Sequence, residues 1–223
     1  MHIRSWLLLA AVAVAGTAVA QDYPTKPVKV IVPWSAGGGA DTVARLISAK
    51  LSESLGQTFF VENRGGATGT IGTDMVAKAA PDGYTLLLGT NSTYVLAVGL
   101  YKKLPYDTDK DLTPISRVAE VPHILSVNPN VPVKNAEELI ALLKANPGKY
   151  SFGSSGTAST PQVAGQVFMN RTGTKLLHVP YKGSGQSVAD TVSGTLQVSF
   201  DTLPAVLPFI KSGRLKALAV LGP

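Results

Sequence analysis

Cysteine is absent from all 223 residues, which rules out disulfides, thiolate metal sites and cysteine nucleophiles together. Tryptophan occurs only twice, and the longest basic run is Lys102-Lys103. No basic stripe therefore follows a phosphate backbone, and no nucleic-acid partner is expected. Long apolar runs are missing as well. The run from Trp6 to Ala15 falls far short of the ~20 residues that span a bilayer, and every later stretch is interrupted by Lys, Asp or Gly. Charged residues make up 15% of the chain against 45% hydrophobic, the balance of an ordinary globular protein rather than a disordered one.

What is present begins at the N-terminus. His2 and Arg4 precede the short apolar run, and Ala18-Val19-Ala20 offers the small residues that signal peptidase requires. This predicts a secretory signal peptide over residues 1–20, cleavage after Ala20 and a periplasmic mature chain starting at Gln21. Residues 1–20 hold one basic residue, Arg4, and no acidic one, so the formal charge falls from +6 to +5 on cleavage. A mildly basic surface favours small anions without selecting one. About 200 mature residues suffice for a sizeable core in one large or two small domains.

Short apolar runs start at Val28, Thr58, Tyr84, Lys149, Lys175, Leu196 and Leu215 and alternate with helical patterns. Near-continuous apolar strands with helices between them predict parallel sheets covered on both faces. Val43, Leu46, Ile47, Leu51 and Leu55 recur at helical spacing, and Gly56 closes the pattern. Asn135 with Glu138 forms a capping box. Thr160 with Pro161 reads as an N-cap and first helical residue, while Gly194 and Gly213 stand where helices should stop. The Pro- and Asp-rich stretch from Tyr101 to Asn135 breaks the rhythm. It reads as the crossing between two lobes, with apolar centres at Ile115–Ala119 and Ile124–Val127.

Ligands of open α/β sheets bind beyond the carboxyl ends of the strands. Six segments lie there: SAGGGAD from Ser35, NRGGATGT from Asn63, TNST from Thr90, GSSGTASTP from Gly153, YKGSGQS from Tyr181 and DTLP from Asp201. All are dominated by Gly, Ser, Thr and Asn. Glycines 37, 38 and 39 let backbone amides face a concavity, and the helix beginning near Asp41 adds the positive end of its dipole. A carboxylate could be held there without a dedicated arginine. Asp41 itself reads either as the helix N-cap or as a contact for a ligand amine or hydroxyl.

Catalytic patterns fail. No GxxxxGK[ST] loop or GxSxG elbow occurs, and Ala67 spoils a dinucleotide fingerprint through Gly66, Gly69 and Gly72. Asp107, Asp109 and Asp111 begin like a calcium loop, but Leu112 replaces the required Gly and Val118 the bidentate Glu. His123 and His178, the two histidines after the signal peptide, lack ligand spacing and read as structural. No metal, cofactor or catalytic residue is expected.

The segments VPWSAGGGADTVAR, VENRGGATGTIG, DGYTLLLGTNST, FGSSGTASTPQVAG, VPYKGSGQSVAD and VSFDTLPAVLPFIKSGRLKALAV together resemble the substrate-binding receptors of tripartite tricarboxylate transporters, the Bug family. The resemblance covers nearly the whole mature chain. It implies an α/β type II periplasmic binding protein fold, two lobes joined by a hinge, with lobe 1 over 21–115 and lobe 2 over 116–223. It implies a receptor without enzymatic activity, a monomer, that captures a small organic carboxylate and delivers it to the large and small membrane subunits of its transporter. Carried over position by position, lobe 1 offers Ser35, Ala36, Gly38, Gly39 and Asp41, then Thr90, Asn91, Ser92 and Thr93. Lobe 2 offers Ser155, Thr157, Ser159 and Thr160, with Tyr181 and Asp201 at the rim. Members of the family run on beyond the position of Pro223, so the chain reads as C-terminally truncated with an incomplete first lobe. A carboxylate-processing lyase or hydrolase on the same fold is the competing reading, and a lone interaction module the third.

Overall fold

The computed structural model describes residues 22–222; the expected signal peptide lies outside them. Two sheets organise the chain. In the smaller, β1 (Val28–Val32) lies between β2 (Phe59–Asn63) and β3 (Thr85–Leu87), all parallel. The larger has the order β6-β5-β7-β4-β8, built from β4 (His123–Val127), β5 (Ser151–Ser154), β6 (Leu177–Pro180), β7 (Val198–Thr202) and β8 (Lys216–Leu221). Its strands are not all parallel, as the apolar runs had suggested. β4 pairs antiparallel with both β7 and β8, because it descends directly from the crossing instead of following a helix. That direction puts its first residue, His123, beside Thr202 at the carboxyl end of β7.

The helices are α1 (Gly39–Leu55), α2 (Thr70–Ala77), α3 (Ala97–Leu100), α4 (Ala136–Ala145), α5 (Thr160–Thr172), α6 (Ser184–Ser193) and α7 (Leu203–Lys211). Helix α1 starts at Gly39 with Gly38 as its extended N-cap and stops at Gly56, whose φ of 67° suits glycine. Its buried face carries Ala44 and Ser48; Leu46 of the expected apolar stripe is 64% exposed. Half of the expected α4 capping box forms, the Glu138 amide donating to Asn135 Oδ1 at 2.8 Å, while Glu138 Oε2 accepts from the Lys134 amide at 2.7 Å, one residue before the N-cap. For α5 the N-cap is Ser159, one residue before the expected Thr160, because Pro161 settles at the second helical position.

Alternation along β4 sends Leu125 and Val127 to one face of the larger sheet and Ile124 to the other. The first face packs Phe152 edge-on to Phe200, ring centroids 5.3 Å apart, under Leu139 and Leu143 of α4. The second packs Val188 of α6 and Val206 of α7. Each such fully buried side chain contributes about 1.5–3 kcal/mol. The smaller sheet has only modest clusters, Val28, Val30 and Phe59 toward the start of β1 and Val32, Trp34 and Ala44 toward its end. Of the two apolar centres expected in the crossing, Ile124–Val127 is buried in β4. Ile115–Ala119 is not a core: Ile115 is 80% exposed and residues 113–122 form no regular element.

Candidate functional site

The carboxyl ends of both sheets face each other, and the loops beyond them meet. After β1 the chain turns through Gly37, at φ 80°. The Asp41 carboxylate organises this turn. It accepts from the Gly37 amide, from Asn63 Nδ2 and from Arg45 Nε, each at 3.0 Å, and Asn63 Nδ2 also reaches the Trp34 carbonyl at 3.1 Å. Burial alone would raise the Asp41 pKa, but these hydrogen bonds, led by Arg45, hold it below the usual aspartate value. Asp41 is thus not the N-cap, and three donors of the chain's own already engage its carboxylate. The Gly37 amide is spent on it. Of the expected cradle, the amides of Gly38 and Gly39 are left, at a helix start where no intrahelical partner exists.

Opposite this loop lies the start of α6. The Ser35 amide donates to the Lys182 carbonyl across the two lobes, at 3.4 Å. The fit is close enough to exclude side chains. A Cβ on Gly183 would stand 2.1 Å from Ser35 Oγ, one on Gly185 2.2 Å from the Ala36 carbonyl oxygen, and one on Gly39 2.1 Å from Thr202 Oγ1. Gly38 has φ −86°, so it is glycine for space beside Ser184 and not for its backbone angle.

The loop after β3 leads into a π-helical turn over Ser92–Leu96. Thr93 Oγ1 accepts from the Thr90 amide at 2.9 Å and donates to the Thr90 carbonyl at 2.8 Å. Ser92 Oγ accepts from the Thr160 amide at 3.1 Å, a second link between the lobes. Thr160 Oγ1 in turn lies 3.1 Å from His123 Nε2. Asn91 and Ala36 are exposed. Ser159 turns its hydroxyl inward, to the Gly156 carbonyl at 2.7 Å.

Asp201 is not at the rim. It is 1% exposed, burial pushes its pKa up, and the nearby Ser184 hydroxyl, the Thr202 amide and the neighbouring His123 only partly oppose that shift. Its Oδ2, with Ser35 Oγ and Thr90 Oγ1, belongs to the buried side-chain oxygens that have no hydrogen-bond partner among the described residues. Such orphaned acceptors and donors are costly unless something else satisfies them. All three lie at strand ends of the cleft.

Between the lobes is a cavity of about 220 Å³ whose lining includes Thr68 and Tyr101 from the smaller-sheet side and Ser155, Thr157, Tyr181 and Lys182 from the larger. Thr68 Oγ1 donates across it to the Thr157 carbonyl and lies 3.2 Å from the Tyr101 hydroxyl. The Tyr181 hydroxyl donates to Asp190, and burial together with that carboxylate pushes its pKa up to about 12. A second hollow of about 230 Å³ lies at the opposite edge of the larger sheet, beside Asn128 and Gln197 where β5 and β7 begin. Both amides there are already bonded internally, Asn128 to Thr191 and Asn130, Gln197 to Ser151 and Gly194, so it offers a ligand little.

Ser155, Thr157 and Tyr181 of the sequence-predicted residues therefore line one cavity. Ser35, Gly38 and Gly39 form the seam beside it, and Ser92 and Thr160 bridge it. Thr68, Tyr101 and Lys182 were not singled out. Thr68 and Lys182 belong to the glycine-rich segments NRGGATGT and YKGSGQS; Tyr101 carries no such signal.

The sequence profile described as "Tripartite tricarboxylate transporter family receptor" matches residues 43–223. The chain belongs to this family. The chain is 42% identical over 217 residues to protein BugT of Bordetella pertussis, covering 96% of this chain and 66% of that one. It superposes with a TM-score of 0.87 on a solved periplasmic transporter, at 46% identity, covering 90% of this chain and 67% of the other. Rpa4515 of R. palustris, solved with adipate, gives a TM-score of 0.86 at 38% identity, with coverages of 89% and 67%. The α/β periplasmic binding protein fold implied by the family resemblance is thereby established, and the chain spans about two thirds of the length of these relatives.

Proposed function

We propose that this chain is the solute-capturing receptor of a tripartite tricarboxylate-type transporter. It encloses a small organic carboxylate between its lobes and presents it to large and small membrane subunits. The observation that carries the reading is the interlobe cavity, lined by hydroxyls and flanked by a seam of glycines and helix N-termini, chemistry that suits an anion. The adipate held by the related Rpa4515 points to the same ligand class. A receptor, rather than a lyase or hydrolase, follows from the family. The charged start, short apolar run and Ala18-Val19-Ala20 support export to the periplasm with cleavage after Ala20.

Protein recovered from the periplasm should show an intact mass beginning at Gln21. Calorimetry on that material against mono- and dicarboxylates should find a binder that raises the melting temperature, by about 2.7 kcal/mol of added stability at a hundredfold excess over Kd. Binding of a sugar or a neutral amino-acid derivative, with no carboxylate bound, refutes the assignment.

A further inference from the structure

We propose that Lys182 is the specificity-determining residue of the interlobe site, selecting dicarboxylates over monocarboxylates by pairing with the second carboxylate. The inference rests on the carboxylate-receptor reading and names its substrate class.

Lys182 is the sole charged residue among those lining the cavity. Its backbone is pinned in place. The Lys182 carbonyl accepts from Ser35 of the other lobe, the neighbouring Tyr181 amide donates to the Ser154 carbonyl at 3.0 Å, and Gly183 abuts Ser35 with no room for a side chain. The root of the side chain is therefore set by the closed seam, while its ammonium has no carboxylate within 4.0 Å among the described residues. Two arginines on the lobe 1 side of the cleft are committed elsewhere, Arg45 to Asp41 and Arg64 to Glu62. Tyr181, beside Lys182, has its hydroxyl engaged by Asp190.

One carboxylate can be satisfied by the hydroxyls of Ser155 and Thr157 and by helix-start amides, through neutral donors alone. A second carboxylate enclosed in the same cleft would be an unpaired charge unless a cation met it. Lys182 is the cation that lines the cavity, on a flexible four-carbon stem that tolerates several chain lengths; Lys102 and Lys103 follow Tyr101 but do not line it.

The test compares four- to six-carbon α,ω-diacids with their monocarboxylic counterparts by titration calorimetry on the purified protein and on Lys182→Met and Lys182→Arg. Wild type should bind the best diacid at least about ten-fold more tightly than its monoacid, ~1.4 kcal/mol. Lys182→Met should lose roughly that factor for the diacid and stay within about two-fold for the monoacid; Lys182→Arg should keep most of the preference. Residue 182 is exposed, so the ligand-free melting temperature should hold, and Lys182→Gln replaces the Met variant if it does not. Equal losses for both acids would overturn the pairing, as would no loss. If neither acid binds wild type, the receptor reading itself fails and takes this inference with it.

Discussion

His178 and His123 show how single residues couple the cleft to pH. His178 Nε2 lies 2.7 Å from Ser154 Oγ, and its ring packs on Phe152 at 5.0 Å between centroids. Burial lowers the pKa of both histidines, Asp201 partly offsetting it at His123. A lowered histidine pKa means that the unfolded chain binds protons first as pH falls. The associated stability is present above the ordinary value of about 6.5 and is lost as pH drops through the folded value. Asp201 runs the other way. Its raised pKa gives stability that is present below the ordinary aspartate value and is lost as pH rises through the folded one. The histidine contribution lowers the melting temperature between pH 7 and pH 5, so relative to wild type the double variant His123→Gln/His178→Gln should lose less stability over that range in a calorimetric pH series. An unchanged slope would mean that other groups carry it. Asp41 teaches a related lesson: its type and place beside three glycines suggested a cap or a ligand contact; Arg45 stands at the i+4 spacing of a helical ion pair, but Asn63, 22 residues away, was invisible to local pattern.

Among the elements, the loop before α6 and the loop before α1 decide whether the lobes can close. Gly185 lies in the first turn of α6, where alanine is intrinsically better by about 0.5–1 kcal/mol. A Cβ there would nonetheless stand 2.2 Å from the Ala36 carbonyl oxygen, part of a backbone that cannot yield without parting the lobes. Gly185→Ala should accordingly preserve or raise the ligand-free melting temperature while weakening carboxylate affinity about ten-fold or more. Small-angle scattering with ligand should show it less compact than wild type. Gly99→Ala, where nothing lies within 4 Å of the added Cβ, serves as the silent control. Equal affinity in Gly185→Ala would show that closure does not need this contact. The glycine count of these segments was legible in the sequence. Which glycine serves a backbone angle and which serves space was not, because that depends on the facing lobe.

At the scale of the molecule the two sheets differ in how well they are supported. The larger buries Phe152, Phe200, Leu139, Leu143 and their neighbours between packed layers. The smaller has three strands, and Leu46, Ile71, Val95, Val98 and Ile115 around it are half or more exposed. Local opening is cheapest where few apolar contacts must be broken. Hydrogen exchange should be faster in β1, β2 and β3 than in β4, β5 and β7. Uniform protection across both sheets would contradict this account, and a ligand that slows exchange in both at once would report closure directly.

The sequence by itself determined the alternation of apolar strands and helices, the polar glycine-rich loops at strand ends and the family. These are local properties: period, turn chemistry and composition act within a few residues. Tertiary structure decided the antiparallel entry of β4, the burial of Asp201, the reach of Asn63 to Asp41, and the meeting of Thr68, Tyr101 and Lys182 in one cavity. Thr68 and the Thr157 carbonyl it reaches are 89 residues apart. No periodicity spans such a distance, and only the docking of one lobe on the other brings those groups within a hydrogen bond.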